Sequence, residues 1–326
     1  MKAIWGGRVI RLIGAALLVA DLAWGGGRGT ASAAAPALSY AYAFQFNGSG
    51  RPNGQLTFPL DVAVAPGGNV YVVDILKSRV EEFTATGALV RAFGRPGHGA
   101  GQFSSPSGVA VAPSGAVYVV DNGNRRVEEF TAGGSFLRAF GHAGSGDGQF
   151  VYPGNVAVAP NGHVYVTDYD AEGPLGRRGR LEEFTAAGAV APFSLEVGLG
   201  NPQGVAVGPD GNIYVVDADA REVRVFRPTG ALVRFIGAAG AAHLLTVPSG
   251  VAVGRGGDVY VVDNQTSQVD VFNTTGSLIS SFGSPGSTNG QFFSPRGVAV
   301  AHRGAVYVAD SFNHRVQVFA PRGRGR

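Results

Sequence analysis

Short apolar runs separated by small-residue turns recur along the chain. Six of them, each holding a single Tyr, close on an Asp: Asp74, Asp121, Asp168, Asp217, Asp263 and Asp310. Successive gaps are 47, 47, 49, 46 and 47 residues, and self-similarity at a period of roughly 40 to 50 residues marks a repeat array. The second repeat shows the unit. Residues 106 to 121, PSGVAVAPSGAVYVVD, hold an apolar run, a Pro-Ser-Gly turn and a second apolar run ending in Asp121. That pattern predicts two antiparallel strands joined by a tight turn. Neither run alternates cleanly, as expected of strands covered on both faces. Asn122 to Arg125 form a loop, RVEEF a third strand, residues 131 to 135 a second turn and FLRAFG a fourth strand. Four meandering strands per repeat predict a blade, and six repeats an all-β, six-bladed propeller of four-stranded antiparallel blades.

The two ends of the array predict how the ring closes. The sixth repeat runs from PRGVAV through VYVAD to RVQVF, ends at Phe319 and lacks a fourth strand. Upstream of the first repeat, SYAYAFQF at residues 39 to 46 alternates Tyr40, Tyr42, Phe44 and Phe46 as a half-buried strand does. Phe46 precedes Gln55 by nine residues, as Phe93 precedes Gln102. The segment therefore has the register of an outer strand and is expected to complete the last blade, removing the open edge between first and last repeats.

The pattern PxGVAV, VYVVD, NxRVxxF, fullest in PRGVAVAHRGAVYVADSFNHRVQVF at 295 to 319, resembles the NHL repeat, and the resemblance covers about residues 40 to 320. It implies a six-bladed propeller. It does not choose a function: similar propellers include extracellular sensor domains, RNA-binding domains, an amidating lyase, and more distant lactonases and strictosidine synthase-like enzymes.

Composition changes the picture mainly at the amino terminus. Lys2, Arg8 and Arg11, the apolar stretch Leu12 to Trp24 and the small residues Ala31-Ser32-Ala33 read as a secretory signal over residues 1–35, with cleavage near Ala33 or Ala35; Asp21 interrupts it. The propeller is then expected over 36–320 and a short basic tail over 321–326. Removing residues 1 to 33 leaves 22 basic and 22 acidic residues, so the basicity belongs to the signal. A near-neutral mature chain has no electrostatic reason to bind nucleic acid. There is no Cys, and both Trp residues, Trp5 and Trp24, fall in the signal. The expected product is a secreted or extracytoplasmic monomer without disulfides, without a transmembrane segment in the mature chain, and membrane-anchored if the signal stays uncleaved.

Residues that every repeat shares belong first to the scaffold. The six closing Asp residues are expected to accept hydrogen bonds from the loop that follows them. Tyr71, Tyr118, Tyr165, Tyr214, Tyr260 and Tyr307 are expected in the core between blades. Three Glu pairs, Glu81–Glu82, Glu128–Glu129 and Glu182–Glu183, suggest acid–base chemistry. Glu82 and Glu129 each stand nine residues before an Arg, Arg91 and Arg138, a spacing that suits cross-strand ion pairs. Glu183 has no such Arg.

Function is sought where repeats differ. From Asp168 to Phe184 is 16 residues, against nine in the other repeats, an insertion carrying Arg177, Arg178 and Arg180. The segment from Phe184 to Pro202 is shortened to 18 residues, against 22 or 23 elsewhere. At the head of the innermost strand four repeats have Gly108, Gly204, Gly250 and Gly297, but the first has Asp61 and the third Asn155; Gln203 and Arg296 are among the variable residues just before. Asp and Asn replace Gly at turns, and Asp61, Asn155 and Gln203 also offer oxygen ligands to a hard cation such as calcium. His98, His142 and His243 lie in loops at unequal offsets, and His163, His302 and His314 elsewhere, an arrangement poorly suited to converge on zinc. The reading is an exported, non-catalytic binding or scaffold module. Its top face, through Arg177, Arg178, Arg180, Gln203 and Arg296, takes a protein, peptide or cell-envelope ligand, with no cofactor required. The alternative is a metal-dependent hydrolase or lyase, using calcium or zinc, with Asp61 and Asn155 at the channel mouth.

Overall fold

The computed structural model describes residues 38–48, 54–170, 178–238, 240 and 243–322. The expected signal segment and Arg177, Arg324 and Arg326 lie outside them. Among the described residues six four-stranded antiparallel sheets follow one another around a ring. Blade two is Pro106–Val111, Val117–Asp121, Arg126–Phe130 and Phe136–Phe140, with neighbours in chain order. Its first hairpin turns on Gly115 at φ +88°, and Gly68, Gly162, Gly211, Gly257 and Gly304 serve the other blades. The second strand of the blade is fully buried, which explains its unbroken apolar run.

The ring closes as the alternation at its start predicts. Ser39–Phe46 pairs antiparallel with Arg315–Arg322, so the last sheet contains strands from both ends of the array. Tyr40 meets Tyr260 through a 2.6 Å hydroxyl contact, and Phe46 stacks on Phe83 at 4.7 Å between centroids. Two long-range contacts of the closing strand thus reach blades five and one. The last strand runs to Arg322, slightly beyond the expected boundary.

The recurrent residues hold blade to blade. Tyr71 packs with Val109, Val117 and Phe130 of the next blade and donates its hydroxyl to Ala132 O at 3.2 Å. Tyr307 does the same across the closure, to Ala85 O at 3.2 Å. Each closing Asp accepts backbone N–H groups from the loop that leads into its own blade, which the sequence reading did not foresee: Thr57 and Phe58 to Asp74, Val151 and Tyr152 to Asp168, Thr246 and Val247 to Asp263. The following loop also donates, as expected: Lys77 N–H to Asp74 at 3.3 Å, and the side-chain amides of Asn124 to Asp121 at 2.6 Å and of Asn313 to Asp310 at 2.9 Å. A buried carboxylate that collects N–H donors satisfies backbone groups that have no ladder partner.

The Glu pairs are structural in the same way. Arg91 meets Glu82 at 2.7 Å and Arg138 meets Glu129 at 2.5 Å, in the expected cross-strand register. Glu183, without an Arg, is held by His163 Nδ1 at 2.5 Å and by the Tyr165 hydroxyl at 3.0 Å.

Candidate functional site

The six innermost strands line a channel, and their heads form its neck. Here the glycines are a steric requirement: a Cβ on Gly250 would lie 2.3 Å from Arg296 O, and one on Gly297 2.4 Å from Asp61 Oδ1. Adjacent blades approach too closely for a side chain directed that way. Gly108 leaves space in blade two, and Asp61 of blade one reaches past it. Asp61 Oδ2 accepts the Val109 N–H at 3.0 Å and the Asn155 side-chain amide, also at 3.0 Å. Burial pushes the Asp61 carboxyl up to about 6, against the lowering effect of those donors.

The polar chain continues around the neck. Asn155 N–H donates to Thr167 Oγ1 at 2.9 Å, and the Thr167 hydroxyl donates to Gln203 O at 2.8 Å, linking blades three and four. Gln203 in turn donates to Asn201 Oδ1 at 2.6 Å. Thr167, fully buried, stands where the other repeats have Val73, Val120, Val216 and Val262 or Ala309. This polar intrusion in an apolar strand is visible in the sequence as VYVTD.

Above the neck opens a cavity of about 270 Å³. Its wall includes Asp61, Asn155, Gln203 and Arg296, together with Tyr152, Tyr169 and Asn201. Repeat spacing did not single out those last three. Arg296 is accessible to water, yet the surrounding wall lowers its pKa by desolvation; a guanidinium nonetheless stays charged. Among the described residues no acid or carbonyl pairs with it, unlike Arg79, Arg126, Arg224 and Arg315, each held by carboxylates. Nearby on this face Phe312 packs at 5.1 Å from both Phe58 and Phe293, with Phe293 57% and Phe312 47% exposed.

The structure separates the residues that sequence reasoning grouped. Gln203, Arg296, Asp61 and Asn155 share one cavity. Arg180 does not join them. It is buried, its guanidinium bound to Asp168 at 2.8 Å and to the carbonyls of Ser145 and Gln149. The pairing Asp168↔Arg180 matches Asp121↔Arg126 and Asp310↔Arg315, so Arg180 is the repeat's own third-strand arginine. The signal was available: Arg180 precedes Phe184 by four residues, as Arg126 precedes Phe130. The backbone of Arg178 pairs with Asp170, so the insertion lengthens a hairpin. The shortened segment after it is likewise a strand, Val190–Leu199, running almost directly into Pro202.

The neck does not fit a calcium or zinc centre. Asp61 Oδ2 is occupied by backbone and amide donors, and Asn155 turns its NH₂ toward the carboxylate. Among the described residues no group of three or more His, Asp or Glu side chains gathers anywhere. His98 contacts Asn124, His142 contacts Gln149 and His243 contacts Asp270, each in a different place.

Fold and cavity define a six-bladed propeller with a polar mouth at the head of its innermost strands. Residues 61–293 match the SMP-30/Gluconolactonase/LRE-like region and residues 292–319 an NHL repeat, and the chain belongs to this SMP-30/gluconolactonase/LRE-like family, with NHL-type repeats. Comparison with curated protein sequences finds no match. Solved structures are similar in fold. A gluconolactonase from Xanthomonas campestris shares 16% identity at a TM-score of 0.62, over 82% of this chain and 87% of that one. A streptogramin B lyase shares 15% at 0.61, over 86% and 98%. Virginiamycin B lyase from Staphylococcus aureus shares 14% at 0.57, over 87% and 98%.

Proposed function

We propose that the protein is an exported recognition propeller whose top cavity binds an acidic group of a protein, peptide or cell-envelope ligand. The observation that carries this reading is Arg296: a charged guanidinium in a cavity wall with no partner among the described residues. Its donors are unused and stand in a concave wall, where a carboxylate or phosphate can accept two of them at once. The exposed Phe293 and Phe312 beside it supply apolar contact of the kind found at protein interfaces. Binding of an Asp- and Glu-containing peptide array to the purified chain tests it. Peptide binding that disappears in Arg296→Gln supports the reading; identical arrays for both proteins refute it.

A second reading, an enzyme at the same mouth, is favoured by family membership and by one local feature. A carboxyl with a pKa of about 6 shares the cavity with an unpaired guanidinium, and perturbed groups in a cleft are candidates for acid–base chemistry. Asp61 would move a proton and Arg296 would stabilise a developing oxyanion, as hydrolases or lyases of lactones and esters need. Elemental analysis, melting with and without EDTA, and lactone turnover separate the readings. Turnover lost in Asp61→Asn establishes the enzyme, and a melting point that falls on chelation restores a metal to it. Neither effect, together with peptide binding, leaves the recognition module.

A further inference from the structure

At the opposite end of the channel the turns between first and second strands ring a larger cavity, of about 930 Å³. Its inner wall is formed by Val64, Val111, Val158, Val207, Val253 and Val300. The rim is uneven. The second turn residue is Pro66, Pro113, Pro160 and Pro209 in the first four blades, but Arg255 in blade five and His302 in blade six, where Arg303 follows. No Asp or Glu lines this cavity among the described residues. Asp210, the only acid at the central positions of these turns, is bonded to Asn212 and stays out of the wall.

The cations serve no purpose in the turns themselves. Each turn is held by the same two backbone bonds, from its first residue to the fifth carbonyl and from its Gly back to the first carbonyl, whether Pro66, Arg255 or His302 occupies the second place. Arg255 donates to His302 Nε2, which uses only part of the guanidinium, and Arg303 has no partner among the described residues. Two guanidiniums without carboxylates therefore stand on one edge of an apolar funnel.

We propose that this basal cavity binds an amphipathic organic monoanion, a carboxylate on an apolar chain. The tail lies along the valine wall and the headgroup between Arg255 and Arg303. Charge complementarity selects the anion over a neutral molecule of the same shape, and the apolar wall selects it over a small hydrophilic acid. The site is independent of the top-face reading, since it uses other residues at the other end of the channel.

Calorimetric titration of the full chain with decanoate tests this, with decanol as the uncharged probe. The test variant takes its residues from other blades of the same protein: Arg255→Pro, His302→Pro and Arg303→Ser, the last copying Ser114. With the top-face cation removed by Arg296→Gln, decanoate is expected still to saturate one site, to bind about tenfold or more weakly when the triple variant is added, and to outbind decanol by a similar factor. Absence of saturation, equal affinity in the triple variant, or decanol binding as tightly overturns the proposal. If the prolines lower the melting point, Arg255→Gln with Arg303→Gln keeps the turns intact and is read the same way.

Discussion

Glu128 shows how one residue can carry a cost that its counterparts Glu81 and Glu182 share and that Gln317 avoids. It is fully buried, touches Arg126 at 2.8 Å, and has neither oxygen in a well-aligned hydrogen bond. Desolvation pushes its pKa up to about 7 from an ordinary 4.5. Between those values the unfolded chain releases a proton that the folded chain keeps, so stability falls as pH rises through that window. Blade six has Gln317 at the equivalent place, satisfied by Gln291 O and Asp310. Glu128→Gln is therefore expected to stabilise at pH 8 by on the order of 1 kcal/mol, with the gain shrinking at pH 5; melting at both pH values checks it. Asp61 follows the same sign. Its charge is lost below about 6, so acidic peptides should bind Arg296 more tightly at pH 5 than at pH 7, and Asp61→Asn should abolish that dependence. At the neck, Gly250→Ala is expected to cost about 1–3 kcal/mol through overpacking against Arg296 O.

The closing strand Ser39–Phe46 is the element on which the ring depends. It buries Phe46, packs Tyr40 on Phe282 at 4.8 Å and covers the strand that ends at Arg322. A chain beginning at about residue 48 should lose more than about 3 kcal/mol, the scale of one large core side chain, and expose a sheet edge that invites aggregation. Heat stability equal to that of the intact chain would show that the strand closes nothing. Blade three offers a second contrast between elements. Arg180→Ala should destabilise, because it leaves Asp168 and Glu182 buried without their cation and frees the carbonyls of Ser145 and Gln149. Denaturant unfolding measures the loss, and a neutral result would return Arg180 to the pool of surface ligands.

For the whole molecule, the functional question is which end of the channel meets a ligand and what that ligand is. Both ends carry cations that the repeat does not need: Arg296 at the top, Arg255 and Arg303 at the base. Seven arginines are bound to carboxylates in the blades; Arg296, Arg255 and Arg303 are among those that are not, and they are set apart by lining the two cavities. Among the described residues no helix is long and apolar enough to cross a membrane. Export, expected from the residues before the array, is checked by the amino-terminal sequence of protein recovered outside the cytoplasm; a product still beginning at Met1 inside the cell contradicts it.

Blade number, strand order, ring closure and the Glu82 and Glu129 ion pairs were all legible along the chain. Each depends on local alternation or on fixed spacing, and a repeat states both six times. The candidate site was legible only in part. Asp61, Asn155, Gln203 and Arg296 stood out as departures from the repeat, but Tyr152, Tyr169 and Asn201 join them only because six strand heads converge. Thr167 was a visible departure whose meaning depended on two neighbouring blades. Arg180 was misplaced because an insertion hid its register, and pairing with Asp168 restored it. Periodicity reports what each blade needs within itself; convergence around the axis brings residues from different blades together, and that distance appears nowhere in the spacing of the sequence.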